Sequence, residues 1–507
     1  MSVLKTISRN IFSNYVGIGG SIVIAFLLSP FLIHTLGDTN YGVWSVIAAL
    51  TGYMALLDLG VSSAIAKYVS KYKALNDYKS LNKVMNTGLL ILISVGVVLI
   101  IASPMIASGM VHFFGFENDL ADTVSKLIVI ASIDIAIFVA TNILVGAYYG
   151  FQRYEIINAV NLSVGILKAL AFYWALSNGH GLLAMGVISL ISNIVITSSL
   201  FLVLKKIEPQ VRLNPVRASR ESASSIFEYS KYTFLSMLAM QLVYYSDAFV
   251  IGYFLSAAAI TIYTIPWSLS EYTNKLMLAV SQTFVPVFSQ QDATQGNEVI
   301  YSTYVTGTKF MLVLSNLVCL GVLADGDYFI ALWMGEKYAV QCSAILTVLF
   351  TTQLIKGPQL LSYSILLGTS NHKRYSFYNF GFSLLNLMLS IILVQKYGLI
   401  GVAVGTAITQ ITLYGIVTPI LTSRAINANL VDYFRQTYLR ILPSSVLLFV
   451  LLKYFATVRT PDSYAILLGQ AGAATLVYLV TVYFTLLDSN ERAIINSGGR
   501  KVLARVF

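Results

Sequence analysis

The 507-residue chain is poor in the residue types that build metal centres, disulfide frameworks and catalytic clusters. It has two cysteines and four histidines, and only 11% of its residues are charged. We expect Cys319 and Cys342 to be unpaired packing thiols, with a single bridge as the alternative. The histidines show no metal-ligand spacing, and the chain has no G-x-x-x-x-G-K-[ST] loop. We therefore expect no metal, no cofactor and no ATP hydrolysis.

Long hydrophilic stretches are also missing, so no segment could fold as a separate soluble domain. Hydrophobic residues make up 57% of the chain, and the mean hydropathy is +0.76. Because a membrane span needs about 20 mostly apolar residues, the chain predicts an all-α polytopic membrane protein with about fourteen spans. Their approximate bounds are 13–36, 41–62, 84–110, 125–150, 157–177, 182–204, 230–255, 262–287, 302–324, 343–366, 377–395, 398–421, 441–457 and 464–487.

An internal repeat organises these spans. Residues 36–70 recur without gaps 219 positions later, for example Leu50 and Tyr53 as Leu269 and Tyr272. About six spans fit in one repeat, an even number, which is typical of parallel-repeat secondary transporters. We predict an N-terminal six-helix lobe (1–204), a cytoplasmic inter-lobe loop (205–229), a C-terminal six-helix lobe (230–421), and two additional helices with a cytoplasmic tail (422–507). A central polar cavity would lie between the lobes.

The net charge of +10 is explained by membrane topology. On the fourteen-span map, 23 of the 32 lysines and arginines fall on one side of the membrane. The positive-inside rule puts that side, with both termini, in the cytoplasm. The basic excess then reflects topology and affinity for the lipid bilayer surface, and we expect no nucleic-acid partner. The longest loop on the other side is expected near 325–342, as an amphipathic connector.

Seven charged residues fall in the interior of predicted spans, away from the span ends. A charge at the centre of a span costs about 2.5–3.5 kcal/mol on insertion scales, so such residues are expected to face a polar interior or a partner. Several of them share a helical stripe with other polar residues, which indicates a shared aqueous cavity. The seven are Lys168, Lys275, Lys309, Lys356, Asp134, Asp247 and Glu271.

Structural alternatives stay open for these charges. Glu271 and Lys275 stand at i, i+4 and could neutralise each other. Lys168 and Lys309 have stems long enough to snorkel along a helix. Asp247 could serve helix-to-helix hydrogen bonds.

A cavity with buried lysines favours an anionic cargo, and phosphate esters are natural ligands for lysine. We take the four lysines as substrate-binding candidates. Asp134, Asp247 and Glu271 are candidates for lumen residues or for coupling to H+ or Na+. We assign no catalytic residue.

Several local motifs resemble those of bacterial polysaccharide flippases of the O-antigen (Wzx) type, in the multidrug/oligosaccharidyl-lipid/polysaccharide (MOP) exporter superfamily. The matching segments, which cover roughly residues 1–425, are LSPF at 28–31, LGDTNYGVWS at 36–45, LDLG at 57–60, SDAFVIG at 246–252, ALWMGEKY at 331–338 and YGLIGVA at 397–403.

The resemblance implies two six-helix lobes around a cavity, with two further helices. It implies transport of an undecaprenyl-diphosphate-linked oligosaccharide to the periplasmic leaflet of the bacterial inner membrane, by ion-coupled alternating access. The product would be a surface polysaccharide such as O-antigen or capsule, and polysaccharide polymerase or other assembly proteins would be partners. No cofactor or catalytic residue is implied, because flipping makes no covalent bond.

Two other functions remain alternatives at this point. An ion-coupled multidrug antiporter of the same superfamily would be expected to have an acid-dominated cavity. A membrane polysaccharide polymerase or glycosyltransferase would need catalytic loops on the outer face, where the first loop is only about Gly37–Asn40.

Overall fold

A computed structural model describes residues 3–116, 118–489 and 491–492, and this part of the chain consists of helices joined by turns and short loops, without β-strands. It divides into two compact units, Met1–Thr261 and Ile262–Phe507. The first contains α1 (Val3–Met54), α2 (Val61–Ala74), α3 (Tyr78–Phe114), α4 (Asn118–Gly150), α5 (Tyr154–Ser177), α6 (Leu182–Ile207) and α7 (Arg220–Phe254). Helix α8 (Ala257–Gln282) crosses the boundary. The second contains α9 (Val285–Thr294), α10 (Asn297–Met334), α11 (Glu336–Gly368), α12 (His372–Thr412), α13 (Thr418–Ala425), α14 (Leu430–Gln436), α15 (Tyr438–Val458) and α16 (Tyr464–Thr485).

Fourteen helical spans are present in the described residues. Ten continuous segments are long and apolar enough to cross a membrane. Two of these, Ser13–Asp58 and Lys373–Ala425, each hold two spans, because Gly37 and Gly398 interrupt the helix with left-handed backbone angles. Helices α7 and α8 supply the remaining two spans. The predicted all-α polytopic fold with about fourteen spans is therefore confirmed.

The repeat extends through the secondary structure. Helix α3 begins at Tyr78 and α10 begins at Asn297, at the 219-residue spacing seen in the sequence. The long helix that follows each of them ends at Gly150 and at Gly368, and the next begins at Tyr154 and at His372. Each copy also has a short helix outside the apolar spans, α2 and α9. The helix bounds of the two copies therefore follow the spacing of the sequence repeat to within one residue.

The expected connector near 325–342 is wrong. Helix α10 continues to Met334 and α11 begins at Glu336, so Gly335 alone separates them. Gly335 has φ 103°, which a residue with a Cβ rarely adopts. Asp325 lies in α10, and its side chain is 5% exposed. The polar residues that suggested a loop are thus part of two helices joined by a tight turn.

A second tight turn depends on two glycines. Gly398 has φ 59° and reverses the chain inside α12. Three residues later the halves approach so closely that a Cβ on Gly401 would lie 2.2 Å from the carbonyl oxygen of Leu393. The motif at 397–403 therefore encodes a helical hairpin with close backbone contact.

The segment between α6 and α7 is hydrogen-bonded to α3 through the side-chain amides of Asn82 and Asn86. Asn82 Nδ2 donates to the carbonyl of Gln210, and Asn82 Oδ1 accepts from the backbone N–H of Arg212. One turn on, Asn86 donates to the Arg212 carbonyl (3.0 Å) and accepts from the Asn214 N–H (2.7 Å). This part of the predicted inter-lobe loop is ordered by the first unit.

An ion pair outside the apolar spans joins the same segment to α2. Lys73 Nζ lies 2.7 Å from Glu208 Oε1 and 2.5 Å from the Tyr78 hydroxyl. Desolvation opposes the protonated form of Lys73, but the bonds to Glu208 and Tyr78 outweigh it and raise the pKa of Lys73.

Helix α7 packs against α1, α2 and α3 in the first unit. The predicted lobe bounds of 1–204 and 230–421 remain a prediction.

Candidate functional site

The first unit has two opposite charges within electrostatic range of each other, Asp134 on α4 and Lys168 on α5. Asp134 and Lys168 interact electrostatically, and both side chains are half-buried. Asn193 of α6 donates to Asp134 Oδ1 at 2.6 Å. The Lys168 ammonium lies 5.4 Å from the centroid of Phe172, within range of a cation–π contact. Three helices therefore combine one cation, one anion and one amide at a single place.

Asp247 lies in different surroundings. It is in α7, is 4% exposed, and interacts electrostatically with Tyr53 of α1. The Tyr53 ring lies 5.9 Å from that of Tyr245 and 5.4 Å from that of Phe249. Asp247 is thus a buried carboxylate beside an aromatic cluster.

The second unit brings Glu271, Lys275 and Lys356 together. Lys275 Nζ lies 3.8 Å from Glu271 Oε1, and Glu271 also interacts electrostatically with Lys356 of α11. The Lys275 side chain is 48% exposed and that of Glu271 is 19% exposed. The predicted i, i+4 pair is present, but it belongs to a three-charge cluster with one net positive charge.

Two tyrosines from α12 and the turn after it complete this cluster. The Lys356 ammonium lies 5.4 Å from the Tyr414 ring centroid, and the Tyr375 hydroxyl donates to the Tyr414 hydroxyl at 3.0 Å. Tyr414 lies in a π-helical turn, Leu413–Val417, whose first carbonyl accepts a bond from the Thr418 hydroxyl. Such turns are rare and occur frequently at functional sites. The helical period of 3.6 gives no signal for a π turn, so the sequence could not identify Tyr414.

Lys309 has a different partnership. Its side chain is 4% exposed, and its ammonium lies 2.8 Å from Glu491 Oε2 and 3.4 Å from Asp488 Oδ2, after the end of α16. On the same stripe of α10, Thr306 donates to Glu491, and Asn316 donates to Ser445 of α15. The segment after α16 and a hydroxyl of α15 thus supply partners to the stripe that suggested a lumen face. The role of Lys309 as a substrate ligand remains a prediction, and its ion pairs favour a structural role.

Comparison with known proteins adds a family and a fold. The polysaccharide biosynthesis protein family matches residues 7–291, more than half of the chain. A Shigella flexneri protein that carries the name of an O-antigen transporter is 22% identical over 425 residues, which cover 81% of this chain and 96% of that protein.

Two solved structures share the fold. The lipid II flippase MurJ, in an inward closed conformation, has a TM-score of 0.75 at 17% identity and covers 94% of this chain and 98% of its own. An inward-facing multidrug resistance transporter of the MATE family, in the MOP superfamily, has a TM-score of 0.70 at 14% identity, with 80% and 94% covered.

These findings agree with the resemblance drawn from the local motifs, and they confirm the expectation of a transporter in place of an enzyme. The chain belongs to the polysaccharide biosynthesis protein family and is a multi-pass membrane transporter, and its fold is that of a solved transporter of the MOP superfamily.

Proposed function

We propose that the chain is a flippase that moves an undecaprenyl-diphosphate-linked oligosaccharide repeat unit from the cytoplasmic to the periplasmic leaflet of a bacterial inner membrane. The product would be a surface polysaccharide such as O-antigen or capsule. The observation that carries this proposal is the cluster of Glu271, Lys275 and Lys356, which has a net positive charge inside apolar helices.

The chemistry of the cluster suits a diphosphate. A lysine ammonium is a compact point charge that binds phosphate oxygens without strict geometry. Two such charges on neighbouring helices match the several oxygens of a diphosphate, and Tyr414 adds an aromatic surface beside Lys356. An organic cation would be repelled by the same net charge. The cluster therefore favours an anionic cargo over a cationic drug.

Lys168 would supply a second cationic position, in the first unit. Its charge is balanced by Asp134, and the amide of Asn193 keeps that carboxylate hydrogen-bonded. Asp134, Asp247 and Glu271 are the groups to which we assign ion coupling, with H+ or Na+ as the coupling ion. The lipid tail would stay in the bilayer while the lobes exchange access between the two leaflets.

The topology follows the distribution of basic residues. The excess of lysine and arginine on one side of the fourteen spans supports a topology with both termini in the cytoplasm. A polymerase or other assembly protein would receive the glycan at the periplasmic face.

Complementation with alanine variants tests the role of the lysines. In a strain lacking the gene, we expect Lys275→Ala and Lys356→Ala each to reduce surface glycan at least tenfold, and Lys168→Ala to reduce it less because Asp134 neutralises it. Lys396→Ala is the matched control, because this lysine is exposed beside the Gly398 turn. Equal surface glycan in all four variants, at equal protein levels, would overturn the cationic-site proposal while leaving the transporter assignment intact.

A further inference from the structure

Hydrogen bonds between α8 and α11 set the register of the three charges in the second unit. Gln353 Nε2 donates to the Ser270 carbonyl (3.2 Å) and hydroxyl (3.0 Å), and the Ser364 hydroxyl donates to the Ser281 carbonyl (2.9 Å). Both contacts join residues 83 positions apart, so the two helices run parallel at a constant offset. The cluster is therefore held by bonds that do not involve its charged groups.

This register puts the three charges at nearly the same depth. Glu271 follows Ser270 directly, and Lys356 is three residues after Gln353. At a rise of about 1.5 Å per residue, Lys356 lies about 3 Å further along the helix pair than Glu271, and Lys275 lies about 6 Å further. Glu271 thus lies 3.8 Å from one lysine on its own helix and within electrostatic range of another on the neighbouring helix.

Lys356 is fixed on its other side by Tyr414. The ring of Tyr414 is 8% exposed, its hydroxyl is bonded to Tyr375, and its backbone belongs to the π-helical turn. A half-buried ammonium beside an aromatic ring, with a carboxylate in electrostatic range, is preorganised for an anion. An anion that enters the site would be attracted by the net positive charge of the cluster, and it would compete with the Glu271 carboxylate for the two lysines.

We propose that Glu271 is a resident counter-anion, which occupies Lys275 and Lys356 in the empty carrier and is displaced by the anionic group of the cargo. This inference rests on the proposed function and names the event at its site. Removing one partner of a partly buried ion pair leaves an uncompensated charge, so the lysines need an anion at every stage of a transport cycle. Glu271 supplies it when the cargo leaves, and it keeps cargo affinity low enough for release.

Binding of inorganic pyrophosphate to the purified full-length chain in nanodiscs tests this proposal by calorimetry. We expect Glu271→Gln to bind pyrophosphate roughly ten- to hundredfold more tightly than wild type, because a like charge a few ångström from the ligand has been removed. Glu271→Asp, which keeps the charge, is expected to bind like wild type. Glu336→Gln, at an exposed position in the first turn of α11, is the matched control and is expected to leave the affinity unchanged.

A second variant keeps the test decisive if Glu271→Gln misfolds. Lys275→Gln leaves Glu271 and Lys356 to neutralise each other, so pyrophosphate binding is expected to fall at least tenfold. Unchanged or weaker binding by a folded Glu271→Gln, with wild type binding measurably, would overturn the counter-anion proposal and leave the flippase proposal standing. If neither wild type nor Glu271→Gln bound pyrophosphate, both the counter-anion and the cationic diphosphate site would be wrong.

The same variants separate binding from turnover. In a flipping assay with the native lipid-linked glycan, Glu271→Gln is expected to lower KM and also to lower kcat, because release becomes slower. An increase in KM would contradict the proposal.

Discussion

At the residue scale, the charges of the membrane interior fall into two kinds of environment. Lys309 has two carboxylate partners and is 4% exposed, whereas Lys356 and Lys275 have one carboxylate, Glu271, in electrostatic range, and Lys356 lies against an aromatic ring. The first arrangement has one carboxylate in excess, and the second has one lysine in excess. Chemistry with an anionic cargo is therefore expected at Lys356.

The contact of Lys356 with Tyr414 predicts a graded effect of substitution. Tyr414→Leu removes the ring and is expected to weaken pyrophosphate binding about two- to tenfold, in line with a cation–π energy of about 0.5–1 kcal/mol or more at a shielded site. Tyr414→Phe keeps the ring and loses only the bond from Tyr375, so its affinity is expected to stay close to that of wild type. Tyr397→Leu, at an exposed ring, is the control. Equal affinities for Leu and Phe at position 414 would show that the ring plays no part.

At the element scale, α15 and α16 are bound to α10 by polar contacts as well as apolar packing. Leu448, Leu452, Tyr478 and Val482 form a buried apolar cluster with Leu312 and Leu320 of α10. Lys309, which forms the ion pairs with Asp488 and Glu491, lies on α10 about one turn before Leu312. The two additional helices are therefore an integral part of the second unit.

We expect the free energy of unfolding to depend strongly on the ion pairs of Lys309 with Asp488 and Glu491. Lys309→Ala leaves Glu491 and Asp488 without their cation and is expected to reduce the free energy of unfolding by about 3–5 kcal/mol. The charge exchange Lys309→Glu with Glu491→Lys is expected to recover part of that loss. Lys126→Ala is the control, because the Lys126–Asp122 pair is 59% and 64% exposed and is worth less than about 1 kcal/mol.

Thermal unfolding of the purified variants measures both effects. A Lys309→Ala protein as stable as Lys126→Ala, with normal gel-filtration behaviour, would contradict the structural role of Lys309.

The hydrogen bonds between α3 and the α6–α7 segment lead to another prediction. Asn86 is 1% exposed and bonds both to the Arg212 carbonyl and to the Asn214 N–H. Asn86→Ala breaks both bonds and is expected to cost about 1–3 kcal/mol locally. Limited proteolysis between residues 208 and 219 should then become several-fold faster than in Ser94→Ala, whose hydroxyl bonds only within its own helix. Equal cleavage rates would show that other contacts hold the segment.

At the scale of the whole molecule, hydropathy and the 219-residue repeat were sufficient to predict the architecture. Span number depends on apolar length alone, so it survives errors of several residues at each end. The region near 325–342 was predicted wrongly, because two carboxylates, Asp325 and Asp327, interrupt the apolar pattern although Asp325 is buried within α10.

The site was less predictable for a related reason. A helical stripe shows that Thr306, Lys309 and Asn316 share one face, but only the packing shows that α15 and the segment after α16 cover that face. The meeting of Glu271 with Lys356 depends on the register of α8 and α11, and the position of Tyr414 depends on a π turn. Neither the register of two helices nor a π turn can be recognised from the 3.6-residue periodicity of the sequence.

The most direct test of the central proposal is the leaflet location of polyprenyl-diphosphate oligosaccharides in a strain that lacks this gene. We expect a complete repeat unit to accumulate on the cytoplasmic face, and the wild-type gene to relieve the accumulation. Absence of such a lipid, or its accumulation unpolymerised on the periplasmic face, would contradict the flippase proposal. A small-molecule exporter of the same fold would then be favoured by the first result.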